Sequence, residues 1–334
     1  MDYIGSKEKL NKWIFETLKD FIPSKKWGEL TFLDGCAGSG SVSKEAIRQN
    51  LKVLSNDIMR FSSFIVGGFS SISEKNILTV QDHIHEINSL RGKDGFFYHN
   101  YSEKGNRLYF SIPNARKIDA VRQYIEKIAS EDIKKYLVYC GIEALSRVLN
   151  TTGVQAAYLK KLKPRALSEY NLKLEEHLYS DNVKVFSEDI LSLLKSHIFR
   201  EDIFYIDPPY NNRQYGPNYH LYETFARYDN PEISGKTGLR DWGNEAKSDF
   251  CYKTKCLDFL KQVINETVAE IVLISYSSDG LLLREEIENI QVENYQVAAV
   301  RSLPQKRYKS DNNRNNRSDG LYEYLFVLSR KGGI

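Results

Sequence analysis

Cysteine is scarce in this chain of 334 residues: only Cys36, Cys140, Cys251 and Cys256 occur, and neither a second close pair nor a nearby histidine accompanies Cys251 and Cys256. That excludes a disulfide framework and a zinc knuckle, and predicts free thiols in a reducing, cytoplasmic setting with no bound metal. Long apolar runs are missing too. No stretch approaches the roughly 18 consecutive apolar residues of a membrane span, and the opening Met1-Asp2-Tyr3-Ile4-Gly5-Ser6-Lys7 lacks the apolar core of a leader peptide, so a soluble, unexported protein is expected. Charge of one sign is nearly balanced out: 47 Lys and Arg against 44 Asp and Glu leave a net +3. No global basic field announces nucleic acid, and any such surface has to be local. With 41% hydrophobic residues, the chain can bury a large core, as one α/β domain with an insertion.

What is present is a carboxylate, a rigid diproline and an aromatic ring delivered to one point. Asp207-Pro208-Pro209-Tyr210 directly follows the apolar run Ile203-Phe204-Tyr205-Ile206. An exocyclic base nitrogen is a poor nucleophile because its lone pair is delocalised into the ring. Asp207 can accept one of its N–H groups, the Pro208 carbonyl can accept the other, and Tyr210 offers a face for stacking. The plainer alternative is a strand that merely ends at two prolines, which cannot continue a central ladder. A second signal lies upstream. The β-rich run Leu30-Thr31-Phe32-Leu33-Asp34 leads into Gly35-Cys36-Ala37-Gly38-Ser39-Gly40 and then the helical stretch 41–47. Strand, glycine turn and helix make a nucleotide-binding opening. A second strand, 52–55, ends at Asn56-Asp57, about twenty residues beyond Gly38, where an acid can take ribose hydroxyls. The third glycine of the dinucleotide fingerprint is missing and Asp34 would repel a pyrophosphate. A methionine ammonium suits Asp34 better.

On these residues the chain resembles the D12-class, Dam-like DNA adenine-N6 methyltransferases. The motifs that carry the resemblance are Tyr3-Ile4-Gly5-Ser6-Lys7, Phe32 through Gly40, Asn56-Asp57-Ile58, Phe186-Ser187-Glu188-Asp189 and Asp207-Pro208-Pro209-Tyr210, spanning nearly the whole chain. The resemblance implies S-adenosyl-L-methionine as cofactor. Tyr3 and Lys7 would help hold its methionine part, Asp34 would lie near the ammonium, Gly38 and Gly40 would shape the loop, Asp57 would bind ribose and Asp189 would read the adenine amino group. It also implies double-stranded DNA as substrate, with the adenine flipped from the helix. The stretch Asn211-Asn212-Arg213-Gln214-Tyr215 is similar to modification enzymes of type II restriction systems, which implies a cognate endonuclease encoded nearby and suggests a CATG-type target. Cys36 departs from the pattern. The alternatives are methylation of another planar amine, such as cytosine N4 or an RNA base, or a non-catalytic methyltransferase-like DNA-binding protein.

Further strands are expected at 183–186, 203–206, 270–275, 295–300 and 322–328, most of them separated by helices. That alternation predicts a doubly wound, Rossmann-like parallel sheet covered on both faces. The last two strands lack an intervening helix and should form an antiparallel edge hairpin, as in methyltransferase sheets. The long interval between the second and third strands predicts an inserted, largely helical target-recognition domain, with amphipathic stretches at 115–129 and 131–149. The division expected is 1–75 for the cofactor part, 76–180 for the insertion and 181–334 for the catalytic part.

Candidate phosphate contacts are Lys160, Lys161, Lys163 and Arg165 inside the insertion, and Arg307, Lys309, Arg314 and Arg317 between the last two strands. Lys236 and Arg240 are further candidates. The polar, aromatic stretch 211–220 suits a lid over an extruded base. His220 reads as a cap or packing residue at the start of helix 221–227, not as a general base. Gly235-Lys236-Thr237-Gly238 lacks the first glycine of a phosphate loop and any strand leading into it.

Overall fold

The computed structural model describes residue 3 and residues 5–212, 214–243, 247–305 and 320–332. Its centre is a seven-stranded sheet in the order β3 (Val183–Phe186), β2 (Lys52–Asn56), β1 (Thr31–Asp34), β4 (Ile203–Ile206), β7 (Ile271–Ser277), β9 (Leu321–Arg330), β8 (Tyr295–Gln305). The first five run parallel, while β9 lies antiparallel to both β7 and β8. β4 and β7 are buried along their whole length, as expected of strands covered on both faces. The hairpin arms β8 and β9 run further than their hydrophobic patterns predict.

The sequence order changes direction between β1 and β4. From β1 the chain moves outward to β2 and β3, then returns to lay β4 on the other side of β1. A crevice opens at the carboxyl ends of strands where the winding reverses, and ligands of open α/β sheets bind there. Asp34, Asp57 and Asp207 all stand at or just beyond those ends.

Helices α1 (Asn11–Lys19), α2 (Ser41–Arg48) and α3 (Arg60–Ser71) belong to the first part of the winding. After them the chain makes α4 (Ile77–Ser89), α5 (Phe96–Tyr101), α6 (Ile112–Glu126), α7 (Glu131–Val148) and the short α8 (Pro164–Leu167) before reaching β3. The interval between β2 and β3 is thus helical, but it has no core of its own. Its apolar side chains pack in one cluster with Phe61, Ile65, Val66 and Phe69 of α3 and with Leu221, Tyr222 and Phe225 of α11 (His220–Arg227). Both helices lie outside residues 76–180. Such close packing needs small residues: a Cβ on Gly141 of α7 would sit 2.4 Å from Phe225 Cζ.

The remaining helices are α9 (Ile190–Lys195), α10 (Tyr215–Asn218), α12 (Cys256–Glu266) and α13 (Arg284–Glu288). Residues 235–238 form the turn of a small hairpin, β5 (Ile233–Ser234) with β6 (Leu239–Arg240). Arg107 is packed against Gly238 and donates to the Gly235 carbonyl at 3.2 Å. Among the described residues no helix is long and apolar enough to cross a membrane, and all four cysteines are free thiols.

Gly141→Val should lower stability by about 1–3 kcal/mol through overpacking against Phe225. A reduced urea midpoint with an unchanged slope is the expected reading.

Candidate active site

The glycine turn between β1 and α2 forms because its residues allow it and its neighbours demand it. Gly38 and Gly40 adopt φ of +53° and +72°, the left-handed region that glycine enters without steric cost. Asp57, just past β2, staples this turn: its Oδ2 accepts from Gly38 N at 2.8 Å and its Oδ1 from Met59 N at 2.8 Å. Asn56 joins the turn to the loop after β3, donating to the Gly35 and Glu188 carbonyls at 3.3 and 3.0 Å and accepting from Glu188 N at 3.1 Å. Asp189 then caps α9, accepting from Ser192 N at 3.0 Å.

Asp34 is fully buried. Its Oδ2 accepts from Ser43 Oγ at 2.6 Å and Ser43 N at 3.1 Å, whereas Oδ1 is buried without a hydrogen-bond partner. The Tyr205 hydroxyl on β4 is likewise buried, next to Ser275. Tyr205 and Asp207, two residues apart in an extended chain, project to the same side. Both line one cleft of about 880 Å³, together with Tyr3, Lys7, Asp34 and the glycine turn.

The N-terminal segment closes this cleft. Tyr3 stacks on Tyr219 with ring centroids 4.5 Å apart, and a Cβ on Gly38 would meet the Tyr3 hydroxyl at 2.7 Å. Lys7, 4% exposed, places its ammonium 3.1 Å from Asp207 Oδ1 and 2.8 Å from Glu323 Oε1. Tyr210 has its ring 5.5 Å from the same ammonium and packs edge-on against Tyr276. Pro209 lines the cleft and Pro208 is buried behind it. On the opposite wall Gln214 exchanges hydrogen bonds with the backbone of Ser248 at 2.9 and 3.2 Å.

Burial dominates the electrostatics. It pushes Asp34 up to about 7, opposed by the Ser43 hydrogen bond and reinforced by Asp207 and Asp57. Burial likewise raises Asp207 to about 7, with Lys7 pulling down and Glu323 pushing up, and lifts Asp57 to about 6. The Cys36 thiol is pushed well up by burial and by Asp57 and Asp207, which leaves no thiolate for nucleophilic work. His220 is buried with Nε2 3.0 Å from the Gln155 carbonyl, and burial drives it down to about 3. It is a neutral packing residue.

The model of the D12 class of N6 adenine-specific DNA methyltransferases matches residues 3–290 of this chain, which carry the cleft and its motifs. The chain belongs to that family. It is 32% identical over 342 residues to the type II methyltransferase M.NlaIII of Neisseria lactamica, covering 99% of both chains. It is 33% identical to M.CviAII of Paramecium bursaria Chlorella virus 1, covering 98% of this chain and 97% of that one. With M.FokI of Planomicrobium okeanokoites the identity is 34%, over 99% of this chain but 53% of the longer relative. The resemblance drawn from the motifs is borne out, and the chain is an adenine-specific DNA methyltransferase.

The methyltransferase's expected phosphate contacts fare unevenly. Lys160 and Lys161 are exposed on a loop ordered by Asn150. Lys163 is half-buried and turns its ammonium onto the Thr151 carbonyl. Arg165 and Lys236 are exposed. Arg240 requires correction. It is 5% exposed and its guanidinium grips both oxygens of Asp229, at 3.2 and 2.6 Å, so its charge is neutralised inside the fold. Arg307, Lys309, Arg314 and Arg317 lie outside the described residues. Sequence reasoning missed Asn56 as a tie between loops, as well as Tyr205, Ser275 and Glu323. Only Tyr205 carried a signal, its two-residue spacing from Asp207.

Because Asp34, Asp57 and Asp207 hold protons more tightly folded than unfolded, the stability they contribute is complete below pH about 4 and is lost as pH rises towards 7. Each contributes a slope of at most about 1.4 kcal/mol per pH unit. Asp34→Asn should therefore flatten the fall in stability between pH 5 and 7, read from urea unfolding across that range.

Proposed function

We propose that this enzyme draws its methyl group from S-adenosyl-L-methionine held in the cleft between the N-terminal segment, the glycine turn and the end of β4. The buried, unpartnered Oδ1 of Asp34 carries this reading. An orphaned carboxylate oxygen is costly, and an ammonium is the group that would relieve it. The Tyr205 hydroxyl offers a second polar contact at the same wall. Asp57 and Asp189 would meet the ribose and adenine, with Gly38 and Gly40 keeping the turn close to the ligand and Tyr3 closing over it. Lys7 lines the same cleft with its charge shared between Asp207 and Glu323.

Bound there, the cofactor would supply an electrophilic methyl group on a sulfonium. The protein's task is then to present an amine in line with it, which is a matter of orientation more than acid–base power. Asp207 and the Pro208 carbonyl would accept the two N–H groups of the target amine, Pro209 would keep that turn rigid, and Tyr210 would stack on the base. An adenine paired inside duplex DNA cannot reach this pocket, so the base must be flipped out. Lys160 and Lys161, with Lys163 and Arg165 close by in the chain and Lys236 on the turn between β5 and β6, would grip phosphates. The helical insertion would read the target. Type II restriction systems, to which M.NlaIII and M.FokI belong by name, supply the biological setting we infer: a cytoplasmic enzyme protecting DNA from a cognate endonuclease, at a CATG-type target.

Asp207→Ala should reduce methyl transfer at least about a thousandfold while cofactor affinity holds, since Lys7 retains Glu323 as a partner. Tritiated methyl incorporation beside calorimetric cofactor titration checks this, with methylation-sensitive long-read sequencing of DNA from expressing cells to identify the target. A mutant that turns over normally would remove Asp207 from the amine's site.

Replacing Lys160 and Lys161 together by Ala should weaken DNA equally on cognate and scrambled duplexes. The log–log salt slope should flatten by about 0.9 for each phosphate that the protein no longer neutralises. An unchanged slope would place the DNA path elsewhere.

A further inference from the structure

Glu323 has no role in the scheme above, yet its carboxylate stands at the catalytic end of the sheet. It lies on β9, 6% exposed, opposite Ser277 of β7. Its Oε1 accepts from Lys7 Nζ at 2.8 Å and from Ser275 Oγ at 2.8 Å. The same ammonium is 3.1 Å from Asp207 Oδ1, a longer contact that still pairs the two charges. Two carboxylates compete for one cation in a site nearly closed to water, and Glu323 holds the better bond.

A lysine paired with Asp207 alone would occupy one carboxylate oxygen and weaken the other as an acceptor. Here the three side chains sum to one negative charge, and Asp207 keeps its acceptor strength. In methyl transfer the amine lone pair forms the new N–C bond, the C–S pair stays on sulfur as a neutral thioether, and the positive charge passes to nitrogen until one N–H proton leaves. Asp207 is placed to receive that proton. We propose that Glu323 is a positioning residue for methyl transfer: by sharing Lys7, it keeps that cation from being held by Asp207 alone and leaves Asp207 able to accept the hydrogens of the target amine and the proton that leaves it.

This rests on the assignment of Asp207 to the target amine. The electrostatics agree in direction: burial raises Asp207, Lys7 lowers it and Glu323 raises it again. The other ionisable groups that feel Asp207 include Asp34, Cys36, Tyr3, Tyr205, Tyr210 and Tyr215, and the variants below leave all of them in place. A merely structural Glu323, one that only neutralises a buried lysine, would reveal itself in stability or ligand affinity rather than in the rate of the bound complex.

The test compares Glu323→Gln and Glu323→Asp with wild type in the full chain, with folding checked by circular dichroism. Cofactor and DNA affinities are measured separately from single-turnover methyl transfer over roughly pH 5.5 to 9. In Glu323→Gln the single-turnover rate should fall by about 10- to 100-fold, the scale at which partners that orient a functional group usually act. Both affinities should stay within about threefold. The acid limb of the pH–rate profile should move to lower pH, because losing one negative charge and gaining a closer Lys7 both favour ionised Asp207. Glu323→Asp, which keeps the charge, should recover most of the rate. A Gln variant with wild-type rate and an unmoved acid limb would overturn the proposal, as would a defect lying wholly in affinity or shared equally by the Asp variant. A wild-type enzyme that methylates no adenine in DNA would instead overturn the functional assignment, and the same assay distinguishes the two.

Discussion

Asp34 is held out of water and Asp207 largely so at the ends of two neighbouring parallel strands, and most of the surrounding architecture compensates for that placement. Burying a carboxylate is costly unless other groups take over the role of solvent. Ser43 does so for one oxygen of Asp34. Lys7, carried by a segment folded across the sheet, does so for Asp207. The segment can reach there only because Tyr3 finds an aromatic surface in Tyr219 and a space left by Gly38. Remove the reversal of winding between β1 and β4, and the carboxylates separate and the cleft has no floor.

The helical lobe is tied to the same point. Asn150 fixes the loop bearing Lys160 and Lys161, donating to the Leu108, Leu159 and Lys161 carbonyls at 2.7, 3.1 and 3.2 Å. Five residues on, Gln155 caps α11, its Oε1 accepting from Leu221 N at 2.8 Å. Immediately before that helix sits Tyr219, the ring on which Tyr3 stacks. A single run of packed groups thus joins the exposed lysines to the Tyr3 wall of the cleft, through a core that α3 and α11 share with the insertion.

Much of this was legible in the chain. Strand β4 matches its apolar run residue for residue, because a buried strand is short, uninterrupted and bounded by polar or breaking residues, and the partly exposed edge strand β3 has the bounds its alternating pattern predicts. The glycine turn and the Asp-Pro-Pro-Tyr stretch were readable because their chemistry is local. What could not be read is what depends on contact across the fold. Nothing around Arg240 announces that Asp229 will neutralise it, and an arginine on a short hairpin looks free until the packing is known. Nor does periodicity reveal that a helical insertion will share its core with helices before and after it. Glu323 sits in an ordinary strand pattern, and its partner is 316 residues away.

That separation has a consequence for the order in which the enzyme matures. Lys7 and Glu323 lie 316 residues apart, and contacts between such distant segments close after local ones. Until β9 takes its place beside β7, Lys7 has Asp207 as its only carboxylate within this trio, and the two hold each other. The strand that docks beside β7 thus brings the second carboxylate, and with it Lys7 is shared between Glu323 and Asp207.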